Sequence, residues 1–226
     1  MSQGLKSYWA EFLGTFTLCF IGQGAIIAQR IASPEGGLLP IAVAHGLALA
    51  VMISALGAVS GAHFNPAVTL SFVVTGRQSL ASAVGYWISQ LLGAVVASFL
   101  LMNLFPTDAW QSVYLGAARL APHLTAVGGV AVEAILTFLL VTAVWGTAVD
   151  ERHPPIGGFG IGLCVAMDIL VGGPLTGAAM NPARAFGPAL AAGVWADHWV
   201  WWVGPLLGGA LAGMIYNGLL LGKRNP

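Results

Sequence analysis

Two short stretches carry the residue types on which chemistry could turn: Asn65-Pro66-Ala67, and Asn181-Pro182-Ala183 with Arg184 directly after it. Their lead-ins correspond, Ser60-Gly61-Ala62-His63-Phe64 before the first and Thr176-Gly177-Ala178-Ala179-Met180 before the second. A tripeptide alone is weak evidence; two copies in matched contexts are strong. Asn is a preferred N-cap, and Pro fits the first helical position, where its missing N–H would be orphaned anyway, so each copy starts a short helix. The chemistry on offer is hydrogen-bond donation from two carboxamides beside the positive ends of two helix dipoles, about half a charge each. That combination favours a hydrogen-bond acceptor and opposes cations.

The helices that follow are short. After Pro66 the chain stays apolar to about Val74 and stops at Thr75-Gly76-Arg77; after Pro182 it stays apolar to about Ala192 and stops at Gly193. About ten residues cover about 15 Å, roughly half of a hydrocarbon core about 30 Å thick. Two such half-helices entering from opposite faces meet tip to tip near the midplane.

The rest of the chain supplies the surroundings this needs. Of 226 residues, 58% are hydrophobic and only 7% charged, against about 25% charged in a soluble domain. Only helices or a closed barrel satisfy the backbone in lipid, and the apolar runs are continuous rather than alternating. The fold class is therefore an all-α membrane protein. Net charge is zero, which gives no reason to expect nucleic acid or a strongly acidic partner. Cys19 and Cys164 lie inside apolar runs and are read as reduced core residues. The first apolar run lacks a small-residue cleavage site and is read as a retained helix.

The expected spans run from about Tyr8 to Gln29, Leu38 to Val59, Leu80 to Leu104, Thr125 to Val149, Ile156 to Val171 and Trp199 to Leu221. A polar turn, Asp150-Glu151-Arg152-His153-Pro154-Pro155, separates the fourth from the fifth, and Gly172-Gly173-Pro174 ends the fifth. The order is helix, helix, half-helix, helix, repeated once. Three full spans per half start the second half on the opposite side, so six transmembrane helices and two re-entrant half-helices form an inverted repeat. The domain is single, 1–226, with repeats at about 1–106 and 125–226 joined by an outer loop, 107–124. Glu11 and Glu133 occupy equivalent places in the first and fourth spans. Lys6, Arg77, Arg152, Lys223 and Arg224 fall on the side of the termini and Arg30 and Arg119 on the other, which puts both termini in the cytoplasm.

The paired Asn-Pro-Ala motifs, Arg184 and the six-plus-two layout together resemble an aquaporin, a member of the major intrinsic protein family, over essentially the whole chain. The resemblance implies a passive channel for water and small neutral solutes that excludes protons and ions, with no cofactor, metal or covalent chemistry, assembled as a homotetramer with one pore per subunit. Asn65 and Asn181 then face one another at the pore centre, each donating to the oxygen of a passing water. Counting from the motifs as in the family, the outer selectivity filter is His45, Ile169, Ala178 and Arg184. Water-selective relatives carry an aromatic residue and a histidine at the first two places, and glycerol channels carry two aromatics; this set departs from both. It is similar to plant tonoplast intrinsic proteins and to the animal branch associated with ammonia and hydrogen peroxide. Ile169 and Ala178 leave the opening wider and half apolar, so ammonia and hydrogen peroxide are expected to pass and glycerol less so.

Other residues have two readings each. His45 lines the filter or packs inside the bundle. His123 reaches over the outer mouth as a fifth filter residue, as in some tonoplast relatives, or is a solvated loop histidine. His63 lines the cytoplasmic pore or packs in its loop. Glu11 and Glu133 form a proton relay or, as the family implies, accept hydrogen bonds from the loops leading to the half-helices, with Gln90 in a similar supporting part. Asp168 adjoins Ile169, but helical neighbours point about 100° apart, so it faces packing or loop backbone. The rivals are a glycerol-type facilitator and, in a different class, a proton-coupled secondary transporter using Glu11, Glu133 or Asp168. An intramembrane enzyme is disfavoured, because no serine–histidine or paired-aspartate arrangement stands out in the spans. The short termini point to a prokaryotic plasma membrane.

Overall fold

The computed structural model describes residues 2–152 and 156–221. His153, Pro154, Pro155, Lys223 and Arg224, which entered the readings of the polar turn and of orientation, lie outside the described residues. Among the described residues nine α-helices follow one another: α1 (Gln3–Ala32), α2 (Leu39–Ser60), α3 (Pro66–Val74), α4 (Leu80–Leu104), α5 (Thr107–Ser112), α6 (Ala126–Val144), α7 (Phe159–Thr176), α8 (Pro182–Ala192) and α9 (Val200–Ile215). Wider turns carry α6 on to Val149 and α9 on to Leu220, where Asp150 N–H donates to Trp145 O at 2.9 Å and Leu221 N–H to Tyr216 O at 2.7 Å. With these extensions, six helices among the described residues are long and apolar enough to span a bilayer. The half-helices α3 and α8 lie between them.

Side-chain caps mark where several of these helices begin. Ser2, Ser79 and Thr125 accept from Leu5, Ser82 and Gly128 N–H at the heads of α1, α4 and α6, each satisfying a donor that the helix cannot. One expectation requires correction. Gly172-Gly173-Pro174 does not end the fifth span: α7 runs through Pro174 to Thr176 and stops at Gly177, whose φ is +80°. Pro174 offers no backbone N–H and its ring crowds the carbonyl of Leu170, yet the helix continues for two residues beyond it. The two glycines serve packing instead, since a Cβ on Gly172 would lie 2.3 Å from Leu136 Cδ1 and one on Gly173 3.0 Å from Leu38 Cδ2. The long connection 107–124 contains α5 and a tight turn at Tyr114–Gly116 in which Leu115 is fully buried.

The two halves interlock. α1 packs along α4, α6 along α9 and α2 against α7, while α3 leans on α9 of the other half and α8 on α4. Small residues allow these approaches, as lipid-embedded helices require. A Cβ on Gly93 would sit 2.4 Å from Phe12 O, and one on Gly208 2.0 Å from Ala134 O. These are the same crossing made once in each half, which is what an inverted repeat demands.

Candidate functional site

Asn65 and Asn181 cap α3 and α8 through their Oδ1 atoms. Asn65 Oδ1 accepts from Ala67 N–H at 2.8 Å, and Asn181 Oδ1 from Ala183 and Arg184 N–H at 3.0 and 3.2 Å. Their Nδ2 groups reach across to the other half: Asn65 donates to Met180 O and Asn181 to Phe64 O, both at 2.8 Å. A carboxamide nitrogen has two hydrogens, so each asparagine keeps one free. Both residues line the same cavity, and the structure brings the two motifs together head to head.

The loops before the motifs are held by buried carboxylates. Glu11 Oε1 accepts from Ser60 Oγ at 2.7 Å and His63 N–H at 2.9 Å, and Oε2 from Phe64 N–H and Gln90 Nε2, both at 2.7 Å. Glu133 repeats the arrangement, with Thr176 Oγ1 at 2.6 Å and Ala179 N–H at 2.9 Å on Oε1 and Met180 N–H at 2.7 Å on Oε2. Both carboxylates are fully buried. With these loop N–H groups spent on the carboxylates, Ala62, Phe64, Ala178 and Met180 adopt positive φ of 43–52°. Such backbone is strained for residues with a Cβ, and it persists where surrounding bonds over-determine it. Gln90 supports Glu11 and Thr69 side chains rather than backbone. The hydroxyls of Ser60 and Thr176, each five residues before its Asn, and the rings of Tyr86 and Trp201, which donate to Ser60 O and Thr176 O, were not assigned from sequence. The matched lead-ins were the signal that could have found the two hydroxyls.

The cavity is amphipathic. Its lining includes the apolar side chains of Leu18, Leu49, Ile53, Val68, Leu140, Val144, Ile161, Val165 and Ile169. It also includes His45, His63, Asn65, Asn181 and Arg184. A second cavity opens toward the end away from the termini, and His45, Ile169 and Arg184 line both. These three residues stand at the junction, with Ala178 on the inner side and Gly177 on the outer.

His45 Nδ1 lies 2.9 Å from Ile41 O. A carbonyl only accepts, so Nδ1 carries the proton and Nε2 is an acceptor; Nε2 is buried without a hydrogen-bond partner among the described residues. The ring lies over Gly22, where a Cβ would come within 2.3 Å of Nε2. Arg184 is 4% exposed, and its Nε and Nη1 likewise have no hydrogen-bond partner among the described residues. A buried guanidinium in an apolar bundle is costly unless it faces a polar or wet cavity. His63 lines the inner cavity toward the end bearing the termini.

His123 is exposed and lines neither cavity, so the structure does not bring it to the mouth. The outer loop reaches the mouth through Val113 and Gly116–Ala118 instead. Ala118 packs on Gly177, whose added Cβ would be 3.1 Å from Ala118 Cα. Nothing in the loop's sequence marks Ala118, because an irregular segment has no period from which to read a facing. Asp168 is buried on α7, with Cys164 Sγ 3.6 Å from its Oδ2, and lies outside both linings. Cys164 and Cys19 are both free and buried.

Comparison with known proteins agrees with this architecture. The chain is 47% identical to aquaporin TIP4-4 of Zea mays over 97% of its own length and 88% of that protein's. It is 42% identical to the probable aquaporin TIP3-2 of Arabidopsis thaliana over 98% of this chain and 86% of the relative. The X-ray structure of the aquaglyceroporin from Plasmodium falciparum superposes with a TM-score of 0.85 at 25% identity, covering 96% of this chain and 97% of that one. These plant relatives lend no support to the expected prokaryotic plasma membrane; what stands is an integral, multi-pass membrane protein. The major intrinsic protein model matches residues 1–216, and the chain belongs to that family of membrane channels.

Proposed function

We propose that within this family the chain is a passive channel for water, ammonia and hydrogen peroxide that excludes protons and ions. The observation that carries the reading is the pair Asn65 and Asn181: each spends one Nδ2 hydrogen on the opposite half and keeps one for the cavity. A water accepting from both has its oxygen occupied and offers no acceptor to its neighbours, which interrupts a proton-conducting chain. The N-termini of α3 and α8 add positive potential at the same place, as is general for pores of this type.

His45, Ile169, Ala178 and Arg184 form the selectivity filter in this reading. The two cavities meet at three of them. An isoleucine and an alanine opposite two polar groups leave room for a solute somewhat larger than water, without the aromatic corner that would pack the carbon chain of glycerol. Transport is uncoupled: Glu11 and Glu133 are engaged by loop donors, and Asp168 is outside the cavity linings. The repeats are taken as 1–106 and 125–226, both termini are cytoplasmic, and the assembly is a homotetramer with one pore per subunit.

Stopped-flow measurements on one proteoliposome preparation, comparing water, ammonia, hydrogen peroxide and glycerol with a dye reporting internal pH, test the proposal. Water with ammonia and peroxide, without glycerol or proton leak, is the expected result. Uptake that follows an imposed proton gradient would overturn it in favour of coupled transport. Water alone would overturn the solute range.

A further inference from the structure

His63 is gripped on three sides. Its face stacks on Phe72, ring centroids 4.4 Å apart, its edge meets Tyr86 at 5.3 Å, and its Nδ1 lies 3.1 Å from Thr69 Oγ1. The bonds around Thr69 decide what that last contact is. Gln90 Nε2 reaches both Glu11 Oε2, at 2.7 Å, and Thr69 Oγ1, at 3.1 Å. The carboxylate only accepts, so the amide is oriented with its nitrogen toward both, and Gln90 donates to Thr69. Thr69 Oγ1 has one hydrogen and two possible takers, Asn65 O at 3.1 Å and His63 Nδ1.

Giving that hydrogen to Nδ1 yields two hydrogen bonds at Oγ1. Giving it to Asn65 O lets Oγ1 accept from both Gln90 and a protonated Nδ1, which yields three. Thr69 and Gln90 are fully buried, and in such a place the arrangement with more partners prevails. We infer that Thr69 and Gln90 are positioning residues that hold His63 as the Nδ1-protonated tautomer, so that Nε2 stands as a fixed hydrogen-bond acceptor in the half of the cavity nearest the termini. His63 lines the cavity, and Gly61 beside it does not crowd Nε2, since an added Cβ there would come only to ordinary contact at 3.5 Å.

His45 is held alike at the other end, with Nδ1 committed to Ile41 O, but its Nε2 is buried over Gly22. The cavity then presents an acceptor, His63 Nε2, on the termini side of the two asparagine donors. Resting on the reading of this cavity as the conduit, the pattern favours small solutes rich in donors: ammonia has three N–H groups to one lone pair, and His63 Nε2 serves its surplus.

The test uses the full-length protein in liposomes with 15N-labelled histidine, His63 being assigned by the signal lost in His63→Gln. Solid-state NMR is expected to show His63 with a protonated Nδ1 and a bare Nε2. Thr69→Val is expected to give mixed tautomers and to lower the ammonia-to-water permeability ratio about fivefold, the worth of one ordinary hydrogen bond; Thr69→Ser restores both. A protonated Nε2 in the unsubstituted protein, or a Thr69→Val variant with an unchanged tautomer, would overturn the inference. The first measurement needs no Thr69 variant, so a misfolded one does not decide the matter. If the tautomer is as stated and ammonia does not pass at all, the positioning role stands and the solute reading above is what fails.

Discussion

Gly46 and Gly162 face each other where α2 crosses α7: a Cβ on Gly46 would lie 2.5 Å from Gly162 O, and one on Gly162 2.3 Å from Gly46 O. The contact is its own mirror, because each glycine meets the carbonyl of the other. The same spacing in sequence, 116 residues, separates Asn65 from Asn181, so the crossing lies on the axis that relates the two halves. A backbone carbonyl cannot swing aside as a side chain can. Gly162→Ala should therefore force the helices apart at a cost of about 1–3 kcal/mol, measured as a lower Tm in detergent. An unchanged Tm would mean that this crossing is looser than its geometry.

Glu133→Gln keeps the shape of the side chain and replaces one acceptor oxygen with an amide nitrogen. Thr176, Ala179 and Met180 all donate to Glu133, so at least one buried donor would face another donor. Each such loss costs about 1–3 kcal/mol. Reduced yield of folded protein and reduced water permeability are expected together, and Glu11→Gln should act alike. Loss of proton-driven uptake with folding intact would instead mark these residues as carriers of protons.

His45→Phe combined with Ile169→His should narrow the junction of the two cavities. Ammonia and hydrogen peroxide flux should fall more than water flux in stopped-flow assays. Equal losses of all three would count against the filter assignment.

At the outer mouth, Ala118 lines the cavity and His123 does not. Ala118→Leu should lower water permeability several-fold, whereas His123→Ala should leave it unchanged. The reverse outcome would return His123 to the mouth.

Asp150 is paired with Arg152, whose Nε donates to it at 2.8 Å, and also accepts from Tyr216 at 3.2 Å. The Arg152 side chain, first, and its backbone N–H hold the Asp150 carboxyl well below its usual 3.8. A depressed folded-state value means that the unfolded chain takes up the proton first as pH falls. The contribution is therefore fully present above the ordinary carboxylate range and is lost as pH drops through the folded value. Arg152 is 63% exposed, so the effect is small and screened by salt. Asp150→Asn should lower Tm by a constant small amount from about pH 8 to about pH 5 and by less in stronger acid. A Tm difference that grows in acid would contradict this sign.

Much of this protein was legible before any coordinates. Apolar runs near the length a bilayer needs, matched Asn-Pro-Ala contexts and equivalent glutamates specified six spans, two half-helices and an inverted repeat. Burial in lipid leaves the backbone few options, and composition reports that constraint directly. The half-helix starts were equally plain, because Asn and Pro act through local geometry alone. The junction residues His45, Ile169 and Arg184 were reachable only through spacing shared with relatives, and tertiary structure brought them onto two common cavities. What remained hidden depended on contacts between distant segments. Gly172 and Gly173 looked like helix breakers until Leu136 and Leu38 were seen against them. Ala118 carries no mark of its place, since an irregular loop is positioned by what it packs on, here Gly177. The proton on His63 depends on a hydroxyl six residues away and an amide from α4. Sequence reports the forces that act along the chain; which donor meets which acceptor is decided only when the halves close on each other.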